Sequence, residues 1–382
     1  MSTHRQRPIL AALILAAGYS SRMDRFKPLM RLDGRTVIEA AVDTFRNAGI
    51  GRIAVVTGHE AERLEPVLKY MGIPAVRNPD FARGMYSSMQ AGIKSLSGDV
   101  DACFLLPADV PLVRPATVKA MAERHESSHP SIVYPVFDGR PGHPTLIARR
   151  LFGEILAEDG AGELGALLQR HQAESSKVHV FDEGVLLDMD TPEDYERLAK
   201  LAPRRHVPTA AECDAILAAL AVDDPIRRHG HAVAAVAEAM TKRLNAHGVI
   251  IDPDLVRAAS LLHDIAKGDP VHAESGAAIV TSLGFPEVGD VIGQHMDMDY
   301  DGCSPREAAI VFLADKLVRE DRRIDLEEYY RHGLERFHNQ PETLRGLTGQ
   351  YDTALAILAA VERLAGESVT NILADCGVPT CP

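Results

Sequence analysis

The chain has 382 residues, 46% of them apolar and 25% charged, with a net charge of −13. That is the composition of an ordinary soluble protein with room for two cores, and no run is long and apolar enough to span a membrane. The negative charge argues against non-specific nucleic-acid binding, so a phosphate-bearing substrate must be drawn by local cations or metal ions. Five scattered cysteines form no disulfide framework, which suits a reducing cytoplasm.

Met1 to Arg7 is basic and Ile9 to Ala17 apolar, the outline of a short signal peptide. The run ends in Gly18 and Ser20-Ser-Arg22 with no fitting cleavage pattern, so Ala11–Leu15 reads as a buried first strand. A helix follows over Val37–Arg46, a strand over Arg52–Val56, a helix over Met85–Ser95, a strand over Asp101–Leu106 and a helix over Thr117–Arg124. Such alternation predicts βαβ units and a mostly parallel sheet, with ligands beyond the C-terminal strand ends. Strand signals stop near Leu201. Pro203-Arg-Arg-His-Val-Pro208 reads as part of a linker, and amphipathic helices follow. The expected organisation is a first domain over 1–200, a linker over 201–212, a helical domain over 213–370 and a frayed tail over 371–382 holding Cys376 and Cys381.

The first predicted strand leads into Leu15-Ala-Ala-Gly-Tyr-Ser-Ser-Arg-Met23 and Lys27-Pro28. Small residues at Ala16, Ala17 and Gly18 let backbone N–H groups approach phosphate oxygens, and Arg22 and Lys27 can neutralise a triphosphate. A generic strand-end turn fits the same residues, and the spacing is not that of a Walker A loop. Asp109 follows the third strand, and Asp188 and Asp190 precede Thr191-Pro192. Carboxylates at strand ends hold Mg²⁺ on nucleotides. Asp190 or Thr191 also suits a helix N-cap, and both roles can hold at once.

In the helical half, His229, Val233, Val236 and Met240 follow helical spacing, so His229 faces inward and His231 another way. His272 shares a stripe with Gly276, Ile279 and Leu283; His295 with Val288, Val291 and Ile292; Asp315 with Ala308, Val311 and Phe312. His263 and Asp264 lie side by side behind an apolar helical run. Inward carboxylates are costly unless paired or metal-bound. Imidazole and carboxylate donors without cysteine suit iron, manganese, zinc or another transition ion. Lys267 reads equally as a phosphate partner or a solvated helix-end lysine.

Arg228-His229, Leu261-Leu-His-Asp-Ile-Ala-Lys267, Val271-His272, Ile292-Gly-Gln-His295 and Leu313-Ala-Asp-Lys316 together resemble the HD phosphohydrolase superfamily, in particular its branch that hydrolyses dinucleoside polyphosphates. The resemblance implies an all-α metal domain that hydrolyses a phosphoester or nucleotide. The added His272 and His295 make a second ion, or a phosphate contact, plausible. Residues 8 to 200 resemble the nucleotidyltransferase family that includes the molybdenum cofactor cytidylyltransferases and guanylyltransferases. The match is carried by Leu15 to Lys27, Arg83-Gly-Met-Tyr-Ser-Ser88, Pro107-Ala-Asp-Val-Pro-Leu112 and Asp188-Met-Asp-Thr-Pro-Glu-Asp194. Ala16-Ala17-Gly18 and Gly139-Arg-Pro-Gly-His-Pro144 resemble its cytidylyl branch. One departure is Asp24, where the family commonly has glycine.

This second resemblance implies a Rossmann-like α/β domain in which Arg22 and Lys27 handle the triphosphate, Asp109 and Asp190 hold Mg²⁺, Ser88 approaches the nucleotide and His143 lies near the acceptor, though His143 also fits a plain loop. CTP is the expected donor, a molybdopterin-type cofactor the expected acceptor and a molybdoenzyme a candidate partner. Two alternatives stand beside it: a cofactor-delivery protein with a nucleotide-sensing HD domain, and a sugar- or alditol-phosphate nucleotidyltransferase.

Overall fold

The apolar run Ala102–Pro107 is a strand buried at every residue, as expected at the centre of a sheet covered on both faces. It belongs to the first of two units into which the chain divides, Met1–Arg205 and His206–Pro382. The computed structural model describes residues 7–19, 23, 25–158 and 164–381.

Strands of the first unit are β1 (Leu10–Ala16), a small hairpin of β2 (Arg31–Leu32) and β3 (Arg35–Thr36), β4 (Arg52–Thr57), β5 (Ala75–Arg77), β6 (Ala102–Pro107), β7 (Ile132–Phe137), β8 (Arg140–Pro141), β9 (Thr145–Ala148) and β10 (Ser175–His179). Its helices are α1 (Val37–Asn47), α2 (Ala61–Tyr70), α3 (Met85–Ser95), α4 (Pro115–Ser128), α5 (Phe152–Ala157), α6 (Leu164–Arg170) and α7 (Pro192–Leu201). The main sheet runs β10-β7-β9-β6-β1-β4-β5, with β8 paired to β7. Its β6-β1, β1-β4, β4-β5 and β10-β7 pairs are parallel, and β9 runs antiparallel between β6 and β7. The sheet is therefore mostly parallel, as the alternating pattern predicts. The ends of β1, β4 and β6 share one edge, where their following loops gather.

Helix α1 opens with a capping box between Thr36 and Glu39, which satisfies two of its unpaired N–H groups. Helix α3 lies close over β1 at Gly92, where a Cβ would stand 2.7 Å from Leu13 Cδ1. The loop ahead of α4 is anchored by Asp182, 2% exposed. Its carboxylate accepts from Arg114 N at 2.7 Å, Thr117 Oγ1 at 2.7 Å, Gly184 N at 3.1 Å and Arg114 Nη1 at 3.2 Å. Asp182→Ala leaves the buried Arg114 guanidinium without that charge and is expected to cost about 3–5 kcal/mol, read as a lowered urea midpoint for the first unit. An unchanged midpoint would show that Arg114 finds other partners.

The second unit holds α8 (Ala210–Ala219), α9 (Asp224–Ala246), α10 (Pro253–Leu262), α11 (His272–Ser282), α12 (Pro286–Ile292), α13 (Glu307–Lys316), α14 (Leu326–Arg336), α15 (Pro341–Ala365) and α16 (Val369–Ile372). Between α13 and α14 it adds a two-stranded hairpin, β11 (Val318–Arg319) with β12 (Arg322–Arg323), where only helices were expected. Two further expectations are corrected. The stretch 201–212 is not a continuous linker: Leu201 ends α7, residues 202–204 form a 3₁₀ turn, and α8 starts at Ala210 behind a Thr209–Glu212 capping box. Nor does 371–382 fray along its described length. Arg323 N donates to Pro379 O, Cys381 N to Arg323 O, and the Arg323 guanidinium to the carbonyls of Leu373 and Val378. Cys376 and Cys381 are half-buried free thiols beside this pairing.

Candidate active sites

At the strand-end edge of the first unit, three predicted residues meet. Lys27, 9% exposed, sits at the start of a 3₁₀ turn. Its Nζ lies 2.9 Å from Asp190 Oδ1 and 3.4 Å from Asp109 Oδ2. Asp109 follows β6. Asp190 precedes α7, whose N-cap is Thr191, boxed with Asp194. The two loops are joined by Met189 N donating to Asp109 O at 2.9 Å. The cap role thus falls to Thr191, while the Asp190 carboxylate pairs with Lys27, and Asp188 is exposed.

The turn after β1 is built for close approach. Leu15 O accepts from Ala108 N and Ala17 O from His59 N, while a Cβ on Gly18 would meet nothing within 4 Å among the described residues. Ala16 and Ala17 are buried under it. Arg22 and Asp24 lie outside the described residues. Ser88 is 4% exposed and its hydroxyl accepts from Asn78 Nδ2 at 3.0 Å, so it ties α3 to the end of β5.

A cleft of about 910 Å³ opens beside this turn, lined among others by Leu15, Arg83, Met85, Tyr134, His143 and Leu168. Among the described residues, His143 Nδ1 is buried without a hydrogen-bond partner. Burial pulls its imidazole below the ordinary value against the charges of Asp109 and Asp188, so the ring is neutral at pH 7. The carboxylate pair and buried ammonium can hold a charged phosphate chain, and the largely apolar cleft with its neutral His143 can hold an apolar body.

The second unit brings six predicted residues to one centre. His229 is on α9, which approaches α10 closely at Gly230, where a Cβ would stand 3.0 Å from Leu261 O. His263 is the C-cap of α10 and Asp264 follows it, so the pair sits at a helix end instead of inside a regular helix. His272 opens α11, His295 lies just past α12, and Asp315 is in the last turn of α13. Asp264 faces both ways. Its Oδ2 is 3.5 Å from His263 Nε2 and 3.9 Å from His229 Nε2; its Oδ1 is 3.6 Å from His272 Nε2 and 3.8 Å from His295 Nε2. Asp315 Oδ1 adds 3.0 Å to His229 Nε2 and 3.4 Å to His263 Nε2. Donor atoms of His229, His263 and Asp264, and of Asp264, His272 and His295, form two groups in which all lie within 4.8 Å of one another. His231 is exposed on another face of α9.

The imidazoles are oriented from behind by backbone carbonyls. His229 Nδ1 donates to Glu320 O at 2.8 Å, His263 Nδ1 to Ser260 O at 2.8 Å and His295 Nδ1 to Ile292 O at 2.7 Å. That leaves each Nε2 facing inward, the arrangement metal-binding histidines require. Among the described residues, the Nε2 atoms of His263 and His295 are buried with no hydrogen-bond partner, so the donor set fits an imidazole- and carboxylate-loving ion. Burial and the neighbouring His263 push His295 down to about 4, keeping it neutral. Burial pushes the Asp315 carboxyl up, but Lys316 and the adjacent His229 and His263 imidazoles more than reverse this, and the group stays ionised. Asp264 is likewise ionised: burial is outweighed by His263 and by Lys267, whose ammonium pairs with Oδ2. The sequence reading missed the supporting carbonyls and the position of Lys316, 1% exposed behind Asp315.

Comparison with known proteins finds a match in each of the two units. Residues 12–175 match the MobA-like NTP transferase domain and residues 227–320 the HD domain. The chain is therefore an enzyme of nucleotidyltransferase type that also carries an HD domain, a class that is typically phosphohydrolytic. It is 26% identical over 186 residues to the molybdenum cofactor cytidylyltransferase of Escherichia coli, covering 48% of this chain and 92% of that one. It is 37% identical over 148 residues to the bifunctional protein GlmU of Geobacter sulfurreducens, covering 38% of this chain but only 30% of that one. A solved nucleotidyl transferase from Methanothermobacter thermautotroptrophicus is 26% identical and covers 51% of this chain and 98% of its own, with a TM-score of 0.46. Among the described residues no helix is long and apolar enough to cross a membrane.

Proposed function

We propose that the first unit transfers CMP from CTP to a phosphorylated acceptor of the molybdopterin type, and that the second hydrolyses a phosphoester or phosphoanhydride. The observation that carries the first half is the meeting of Lys27, Asp109 and Asp190, with Asp109 close enough to His143 to act on its charge. An acceptor phosphate oxygen attacks the α-phosphorus, the α–β bond breaks and pyrophosphate leaves. Asp109 and Asp190 hold the Mg²⁺ that neutralises the triphosphate. Lys27, and Arg22 by resemblance, balance charge on the leaving group. Neutral His143 contacts the acceptor in the cleft, and Gly18 admits the nucleotide to the backbone. The choice of CTP and of a pterin acceptor draws on Ala16-Ala17-Gly18, on Arg140-Pro-Gly-His143 and on the activity named for the Escherichia coli relative.

In the HD unit, His229, His263, Asp264 and Asp315 hold one transition ion, and His272 and His295 with Asp264 complete a second site. Such ions supply Lewis acidity toward a phosphoryl oxygen. Lys267, half-exposed at the rim, is placed to meet substrate phosphate. The product of the first unit would pass to a cytoplasmic molybdoenzyme.

The test is pyrophosphate release by the purified chain with CTP, GTP or ATP in competition, offered molybdopterin cofactor or a sugar or alditol phosphate as acceptor. CTP with the pterin is expected to turn over fastest. A clear GTP preference, or turnover only with the sugar or alditol phosphate, would overturn the donor or the acceptor respectively.

A further inference from the structure

Lys316 is 1% exposed, yet its ammonium has two specific partners. It donates to Asp315 Oδ2 at 2.7 Å and to the backbone carbonyl of His295 at 2.7 Å, and it lies 4.6 Å from the centroid of the Phe312 ring. We propose that Lys316 is a positioning residue that holds Asp315 and His295 in ligand geometry and so couples the two halves of the HD centre. The proposal rests on the metal reading of that centre.

The geometry is specific to this task. Adjacent residues on a helix point about 100° apart, so Asp315 and Lys316 meet only because both side chains turn toward the centre, the lysine stem passing over Phe312 one turn earlier. The two oxygens of Asp315 are then used differently. Oδ1 faces His229 and His263, while Oδ2 is anchored by Lys316, which stops the carboxylate from rotating out of the centre. His295 has the opposite problem. It lies beyond the last residue of α12, so no continuing helix holds its carbonyl. Its ring is oriented by Ile292 O and its backbone by Lys316.

The two groups it holds belong to different clusters. Asp315 sits against His229 and His263; His295 groups with Asp264 and His272. An apolar side chain of similar length would fill the space but leave two buried acceptors, one of them charged, without a donor.

Two roles for this ammonium predict opposite signs. As a mere counter-charge it competes with a cation for Asp315, so its loss would tighten metal binding. As a positioning group its loss weakens binding, because the ligands are no longer pre-arranged. The experiment titrates the full chain with Mn²⁺ against a competing chelator, for wild type, Lys316→Met and Lys316→Gln, and compares melting with and without chelator. Lys316→Met is expected to lower Mn²⁺ affinity about 10–100-fold, the usual range for partners behind metal ligands, and to shrink the melting shift that Mn²⁺ confers. Lys316→Gln keeps an uncharged donor and is expected to recover part of both. Mn²⁺ affinity that is unchanged or tighter in Lys316→Met would overturn the proposal. So would melting temperatures that fall equally with and without chelator in both variants, which is the signature of core packing alone. A wild-type chain that binds no Mn²⁺ would overturn the underlying metal reading as well.

Discussion

Asp264→Ala is expected to leave the HD centre without bound transition metal in either half and to abolish its phosphohydrolase activity. One carboxylate serves both clusters: Oδ2 faces His229 and His263, and Oδ1 faces His272 and His295. Removing it takes a donor from each at once, whereas loss of His229 or His272 touches one side. Stability follows by linkage, since an ion present at about 100 times its dissociation constant adds about 2.7 kcal/mol to the folded state. The variant should therefore melt near chelator-treated wild type and gain nothing from added metal. His231→Ala is the matched control on the same helix as His229, exposed on another face, and should keep its full metal content. Elemental analysis decides the matter. Full metal in Asp264→Ala, or metal lost in His231→Ala, would mean that the bridging assignment or the register of α9 is wrong.

The residues of this centre were legible because helical spacing puts side chains on faces. His229 on the Val233–Val236–Met240 stripe is buried and His231 is not, as periodicity predicts. What holds them was not legible. The carbonyls of Ser260, Ile292 and Glu320 orient three imidazoles, and a backbone carbonyl leaves no mark in residue type. Glu320 reaches His229 from the turn of a hairpin whose strands are two residues each, too short for a period-two pattern, and its backbone is left-handed at φ +56°. Lys316 was visible as part of Leu313-Ala-Asp-Lys316, but helical geometry turns neighbours apart and conceals their contact.

In the first unit, β1, β4 and β6 were legible as largely apolar runs and α3 as the segment entered from Gly84. Helix α2 carries Pro66 within it and β5 is three residues long, so both lacked a usable signal. The order in which strands join is set by long-range pairing. The direct contact of Lys27 with Asp190, 163 positions away, was not legible; the rule that ligands gather beyond strand ends and the family resemblance implied only that both serve one site.

That meeting yields the other large expectation. Asp109→Asn should cut pyrophosphate release by about 10²–10³-fold, the cost of removing one preorganised charge from a transition state, and Lys27→Ala should lower it comparably. HD-domain hydrolysis should stay within a few-fold in both, because no HD ligand is altered. The two variants part company when Mg²⁺ is titrated without nucleotide. Asp109→Asn removes a ligand and should weaken Mg²⁺ binding. Lys27→Ala removes the ammonium lying between Asp109 and Asp190, leaving two carboxylates with less to offset their repulsion, and a divalent cation is the natural replacement. It should bind Mg²⁺ more tightly while turning over poorly. That pairing would mark Lys27 as a counter-charge that moves onto the triphosphate when metal and nucleotide arrive together. Weaker Mg²⁺ binding in Lys27→Ala would instead mean that the lysine serves to hold the two carboxylates in place. Normal nucleotide transfer by Asp109→Asn would remove Asp109 from the metal site altogether.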